Sequence, residues 1–231
     1  MLWLGDEELN GDRLRAIINM PSNMVLITKT NIKDYILTDY PLHPAYEFLS
    51  TIHKSDYMRC YLMHHYGGGY TDIKLTTIIW EDMFDKMDSA ENILMMGVKT
   101  TYGHTYSGIE EWTENMRSNI LQNMDKMICM GIMICRSNSY ITREWYDELH
   151  RKLDSYLMSL KVNPARFTRE CFHPALGIAL EKPEWEGLTD YKSGYPISWN
   201  ILLSQILYPI QLKYMESIDT HTLNFNIDFW K

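Results

Sequence analysis

The sequence predicts an α/β fold with a mainly parallel central sheet flanked by helices. Three observations carry this expectation. Strand-like apolar runs alternate with stretches of helical spacing; the run from Lys126 to Cys135 is apolar enough for a strand covered on both faces; and Gly67-Gly68-Gly69 separates a long helical pattern from a run rich in β-branched residues.

Taken in order, Leu2-Trp3-Leu4-Gly5 reads as the end of a strand, and the charged residues from Asp6 to Arg15 as a turn entering a short helix closed near Pro21. Asn23 to Thr28 reads as a second, buried strand. After Pro41, His43 and Pro44, the residues Tyr46, Leu49, Ile52, Tyr57, Met58, Tyr61, Leu62 and His65 recur at helical spacing, which predicts one long helix stopped by Gly67. Tyr70 to Ile79 reads as a strand, Trp80 to Ala90 as a polar turn or helix, and Ile93 to Val98 as a further strand. Lys99 to Asn123 is irregular and polar, a surface excursion. Ser137 or Ser139 caps a helix reaching to about Leu160. Asn163 to Lys192 carries three prolines and reads as loop; Tyr195 to Tyr214 alternates apolar positions.

The length of 231 residues, 45% of them hydrophobic, suits one domain spanning residues 1–231. Sixteen Tyr, seven Trp and sixteen Met are too heavy a load for a disordered chain. No apolar run reaches the roughly 20 residues that span a bilayer, and the first residues lack the pattern of an export signal. A soluble, cytoplasmic protein with no membrane span is therefore expected. Cys60, Cys129, Cys135 and Cys171 form no CxxC pair and read as buried thiols in a reducing compartment. A formal charge of −8 argues against nucleic acid as a partner.

The chemistry concentrates around the glycines. Asp56 and Arg59, three positions apart, share a face of the helix that ends at Gly67, an arrangement that by itself also describes an ordinary surface ion pair. Three consecutive glycines do more than stop a helix, because a backbone without Cβ atoms allows positive φ and the close approach of a ligand. Tyr70 and Asp72 then fall on one face of the following strand. His64 and His65, as neighbours on a helix, diverge too far to hold one ion together and read as core-packing or surface-exposed residues. His173, Glu181, Asp190 and His221 are candidates for a general base, with nothing in the sequence to choose among them. Trp199 and Trp230 read as anchors of the terminal segment.

The segments Ser55-Asp56-Tyr57-Met58-Arg59 and Tyr66-Gly67-Gly68-Gly69-Tyr70-Thr71-Asp72-Ile73-Lys74 resemble the motif of DXD-containing sugar transferases. These include the fungal mannosyltransferase-like family, bacterial capsular-polysaccharide transferases and the glucosylating clostridial toxins. Size and tyrosine content also resemble the compact glycosyltransferase domains of large algal viruses, which would place the protein in a host cytoplasm. The resemblance covers about half of the chain. It implies a GT-A (Rossmann-like) fold with a donor half in residues 1–100 and an acceptor half with the C-terminal segment in residues 101–231. It implies an enzyme moving a hexose or deoxyhexose from a nucleotide-sugar donor, UDP-linked, to a glycan or glycoprotein acceptor. Carried over by position, Trp3 stacks on the base, Asp56 and Arg59 hold sugar hydroxyls, Gly68 and Gly69 admit the donor, Tyr70 packs beside the nucleotide, and Asp72 serves the ribose and the metal.

Lys74 departs from the family where the second carboxylate of the DXD pair would stand. Two readings stay open. Asp72 holds Mn2+ or Mg2+ with diphosphate and water completing the shell, or Lys74 itself neutralises the diphosphate leaving group. Asp72, Lys74 and Arg59 are thus the expected catalytic groups. The rival is a sugar-nucleotide-binding protein made weak or inactive by Lys74. A kinase-like protein is disfavoured because no GxxxxGK[ST] loop occurs.

Overall fold

The computed structural model describes residues 1–5, 8, 9, 11–20, 22–75, 79–100, 112–182 and 192–220. The chain opens with β1 (Leu2–Trp3), α1 (Gly11–Ile18) and β2 (Ile27–Thr28), and β1 pairs with β2 in parallel, Leu2 opposite Ile27 and Trp3 opposite Thr28. The expected helix stop at Pro21 falls outside the described residues.

The helical pattern that follows is not one helix. A 3-10 turn, Tyr46–Phe48, is separated from α2 (Thr51–His65) by Leu49 and Ser50 in extended conformation. The Ser50 N–H donates to the Tyr195 hydroxyl at 3.1 Å, and its side-chain oxygen bonds His53 Nδ1 at 2.8 Å. The chain is pinned there by a distant tyrosine, so periodicity alone overstates the helix. Its end is as expected: Tyr66 and Gly67 both donate to the Leu62 carbonyl, with Gly67 at φ +68 in the left-handed region.

After the glycine turn come β3 (Gly68–Thr71), α3 (Trp80–Ser89) and β4 (Met95–Lys99). β5 (Ile128–Cys135) inserts between β3 and β4 and runs antiparallel to both; a short β8 (Ile218–Asp219) pairs with β4 in parallel. The sheet is therefore mixed, not mainly parallel. β3 and β4 do run the same way, as the strand–helix–strand pattern requires, but the strand between them arrives later in the sequence. Alternation of elements reveals a crossover and not what fills the gap beneath it.

All eight residues of β5 are buried. One face of the sheet packs against α2 and, further along the chain, α5 (Tyr140–Val162) and α6 (Ser204–Lys213); the other packs against Trp80, Met83 and Met87 of α3. Ile128 and Met130 belong to the larger core and Cys129 to the smaller, whereas further along Met133 and Cys135 belong to the larger and Ile132 and Ile134 to the smaller. The alternation changes phase across Gly131, where the pairing with β4 also slips. A glycine inside a strand marks such an irregularity.

Residues 112–123, expected to be irregular, contain α4 (Glu114–Gln122), capped by the Thr113 side chain; residues 101–111 lie outside the description. Ser139 caps α5, its oxygen accepting from the Thr142 N–H at 3.2 Å. The segment read as loop after α5 holds a hairpin, β6 (Cys171–His173) and β7 (Ile178–Leu180), closed by Gly177 at φ +65. All four cysteines are buried and free. No helix among the described residues is long and apolar enough to cross a membrane.

Candidate functional site

β3 ends one residue before Asp72. The Asp72 N–H still pairs with the Gly131 carbonyl at 2.8 Å, but Lys74 N–H folds back onto the Asp72 carbonyl at 2.8 Å and closes a three-residue turn. The strand expected to run to Ile79 stops at Thr71, and residues 76–78 lie outside the description. Asp72 thus sits on the bend at the carboxyl end of β3.

From α2, Arg59 reaches this bend. Its Nη2 lies 3.4 Å from Asp72 Oδ1 and 3.7 Å from Asp56 Oδ1, and its Nη1 donates to the Met130 carbonyl at 2.8 Å. The Tyr70 hydroxyl donates to the same Asp72 oxygen at 3.0 Å. The ion pair is not a surface feature: the Asp56 and Arg59 side chains are 13% and 9% exposed, against 34% for Asp72. One guanidinium therefore bridges two carboxylates at the edge of the core.

Burial pushes the Asp56 carboxyl up to about 7; the Arg59 charge opposes that shift, and the Asp72 charge adds to it. Burial likewise raises the Tyr70 phenol, which keeps its proton and so acts as a donor toward Asp72. Arg59 Nε is buried with no acceptor among the described residues, leaving the cluster one unused donor.

The glycines divide by role. A side chain at Gly67 would stand 2.7 Å from the Ser137 backbone nitrogen, and one at Gly69 would stand 2.6 Å from the Trp80 ring. Both are demanded by packing of the protein on itself. At Gly68, φ +78, nothing among the described residues lies within 4 Å of the position a Cβ would take. This is the one open face of the triplet. Trp3 stands on β1, half-buried, with the Arg13 guanidinium 4.8 Å above its ring.

Among the described residues no group of three or more His, Cys, Asp or Glu is placed to hold a metal ion. Asp72 Oδ1 already accepts from Tyr70 and Arg59, so Oδ2 is the oxygen outside those bonds. This donor set fits an ion carried in with a diphosphate better than a resident one, since such ions take one or two carboxylates plus phosphate oxygens and water.

His64 and His65 lie in a stack of rings with Tyr61 and Tyr146 between α2 and α5, a packing role. His173 is tied into its own hairpin, Nε2 lying 3.1 Å from the Lys182 carbonyl, and Glu181 is exposed. Asp190, His221 and Trp230 lie outside the described residues. Trp199 is half-buried beneath Arg169, at 5.5 Å. The Met130 carbonyl lies in Met130-Gly131-Ile132-Met133, a stretch that resembles the same sugar-transferase family but gives no sign of the Arg59 contact, and His53 left no signal in the sequence at all.

The mixed α/β protein thus gathers two carboxylates and a guanidinium at a strand end. The family model for capsular polysaccharide synthesis proteins matches residues 15–160, more than half of the 231 residues, and the chain belongs to that family. The matched span holds α2, the glycine turn and β5, and membership points to a glycosyltransferase-like, biosynthetic role on sugars. No curated protein and no solved structure matches the chain.

Proposed function

We propose that this chain is a GT-A-type glycosyltransferase that moves a hexose or deoxyhexose from a UDP-sugar to a hydroxyl of a glycan or glycoprotein acceptor. The observation that carries the reading is the convergence of Asp56, Arg59 and Asp72 on the bend after β3. Charged hydrogen bonds from such a cluster orient sugar hydroxyls, and the unused Arg59 Nε–H is a donor for one of them. Residues 1–100 supply this donor half and residues 101–231 the acceptor half.

In the transfer the acceptor hydroxyl oxygen bonds the anomeric carbon and gives up its proton to a base or to the departing diphosphate, the bond from that carbon to the diphosphate breaks, and negative charge develops on the leaving UDP. A divalent ion, Mn2+ or Mg2+, would supply electrophilic stabilisation of that charge, held on the protein side by Asp72. Lys74, two residues after Asp72 on the same bend, is placed by sequence to contribute an ammonium to the same task. Tyr70 fixes Asp72 by its hydroxyl, and Gly68 leaves the backbone open to the approach of the donor.

The rival is a sugar-nucleotide binder without turnover, favoured by Lys74 in place of a second acid. Release of UDP from a panel of UDP-sugars, measured with and without Mn2+, distinguishes them. The parent chain turns over at least one donor, and Asp72→Ala abolishes turnover with the fold retained. A thermal shift without any UDP release identifies the binder instead; parental turnover in Asp72→Ala removes the assigned site.

A further inference from the structure

A cavity of about 540 Å3 lies between α5, the β6–β7 hairpin and the segment around Tyr195. Its size is that of a small-molecule site. Tyr156 and Phe172 supply partly exposed rings and Pro174 and Pro196 supply flat apolar edges, Tyr195 lines the cavity but is itself fully buried, and Ser193 and Ser198 bring hydroxyls. The Ser198 side chain is the telling one. The residue is 5% exposed, lines the cavity, and its hydroxyl has no hydrogen-bond partner among the described residues. Buried hydroxyls are nearly always satisfied, so a wall of rings carrying one unsatisfied hydroxyl asks for a partner with both apolar C–H faces and polar groups.

The cavity is also tied to the carboxylate cluster. Tyr195 is 2.8 Å from His53 Nδ1 and stacks on its ring, and His53 Nε2 bonds the Ser198 carbonyl at 3.1 Å. His53 precedes Asp56 by three residues on α2, a rise of about 4.5 Å along the helix. One buried imidazole thus joins the cavity wall to the helix that presents Asp56 and Arg59. On the other side, the Glu170 carboxylate accepts from the backbone N–H groups of Arg166 and Phe167 and from the Ser193 hydroxyl, and the Ser193 oxygen accepts from the Tyr195 N–H. The wall is held rigidly from both ends.

We infer that this cavity is a saccharide subsite that seats a pyranose ring of the acceptor glycan, its C–H face on the aromatic wall and a hydroxyl on Ser198. The inference rests on the transferase reading above, and it supplies what that reading lacks: a place for the acceptor.

The test uses the full chain and free di- and tetrasaccharides of glucose, galactose and rhamnose, observed by saturation-transfer NMR, alongside UDP-sugar hydrolysis. Ile178→Trp fills the cavity from β7, and Ser198→Ala removes the hydroxyl while leaving the backbone contacts. At least one saccharide binds the parent. Ile178→Trp weakens it at least tenfold and Ser198→Ala about two- to tenfold, and both variants keep donor hydrolysis within twofold of the parent. Equal saccharide binding in parent and Ile178→Trp, or no binding by any saccharide of the panel, overturns the inference. Saccharide binding that is lost in Ile178→Trp while the parent hydrolyses no donor keeps the subsite and instead removes the transferase reading. If Ile178→Trp does not fold, Ser198→Ala decides alone: unchanged saccharide affinity in that variant overturns the inference.

Discussion

Arg59 lies over the face of Tyr70, its guanidinium carbon 4.3 Å from the ring centroid, while both side chains address the same oxygen of Asp72. The arrangement makes Arg59 a keystone for stability as well as for any ligand. Removing it strands Asp56 and frees the Met130 carbonyl inside the core.

Breaking a buried pair from one side typically costs about 3–5 kcal/mol. Arg59→Ala is expected to fall in that range by urea unfolding. Arg59→Lys keeps the charge but not the fork that spans Asp56, Asp72 and Met130, and should lose part of the stability and most of the affinity for a UDP-sugar. Equal unfolding midpoints for the parent and Arg59→Ala would show that the three groups do not act as one buried unit.

The glycines should rank by what each would strike. Gly67→Ala meets backbone atoms of Cys135 and Ser137 and must also hold φ +68, so neither strain can relax; a loss of about 2–5 kcal/mol is expected from overpacking plus the left-handed penalty. Gly69→Ala presses on the Trp80 ring, 3% exposed, at about 1–3 kcal/mol. Gly68→Ala meets open space and pays only for its φ of +78, about 1–2 kcal/mol. Urea midpoints order the three. Donor affinity, measured separately, should fall most per unit of lost stability in Gly68→Ala, the position with room beside it.

Much of this region was legible from local signals, and the remainder was not for identifiable reasons. The pairing of Asp56 with Arg59 and the stop at Gly67 follow from helix geometry. The end of β3 was invisible because the β-branched composition of Thr71 and Ile73 continues through the turn at which the backbone folds back on Asp72. The glycine triplet pointed to the right place for a partly wrong reason: two of its members are required by Ser137 and Trp80, contacts made with residues further along the chain. The break before α2 depends on Tyr195, and the antiparallel entry of β5 on a strand distant in sequence, so neither has a local trace.

The buried histidines set an acid limit on stability. His53, His64 and His150 are each lowered to about 4, in every case chiefly by burial; His65 also lowers His64, and His43 lowers His150. An unfolded chain protonates them near 6.5, so it takes up protons that the native state refuses. Their contribution is complete above about pH 6.5 and is lost as the pH falls toward 4. Asp56 acts in the opposite sense: with its carboxyl raised from 3.8 to about 7, its contribution is complete below 3.8 and is lost as the pH rises through 7. Three groups outweigh one. Stability should therefore climb between pH 4.5 and 6.5, and His53→Gln should flatten that rise. A urea midpoint independent of pH over this range would contradict it.

Lys74 decides how the leaving group is handled. If its ammonium already meets the diphosphate, Lys74→Asp exchanges a fixed cation for a second carboxylate beside Asp72 and makes turnover strictly dependent on Mn2+, whereas the parent retains activity in the presence of a chelator. If the ion on Asp72 carries the charge, the parent itself loses turnover on chelation, and Lys74→Asp binds Mn2+ more tightly without changing that dependence. Lys74→Met separates charge from stem: it keeps the apolar length and removes the ammonium, and should cost on the order of tenfold or more in turnover under the first account and little under the second. Titrating Mn2+ into the parent and both variants while following UDP release gives each curve directly. Were all three to release UDP at one rate at every Mn2+ concentration, Lys74 would have no part in the step.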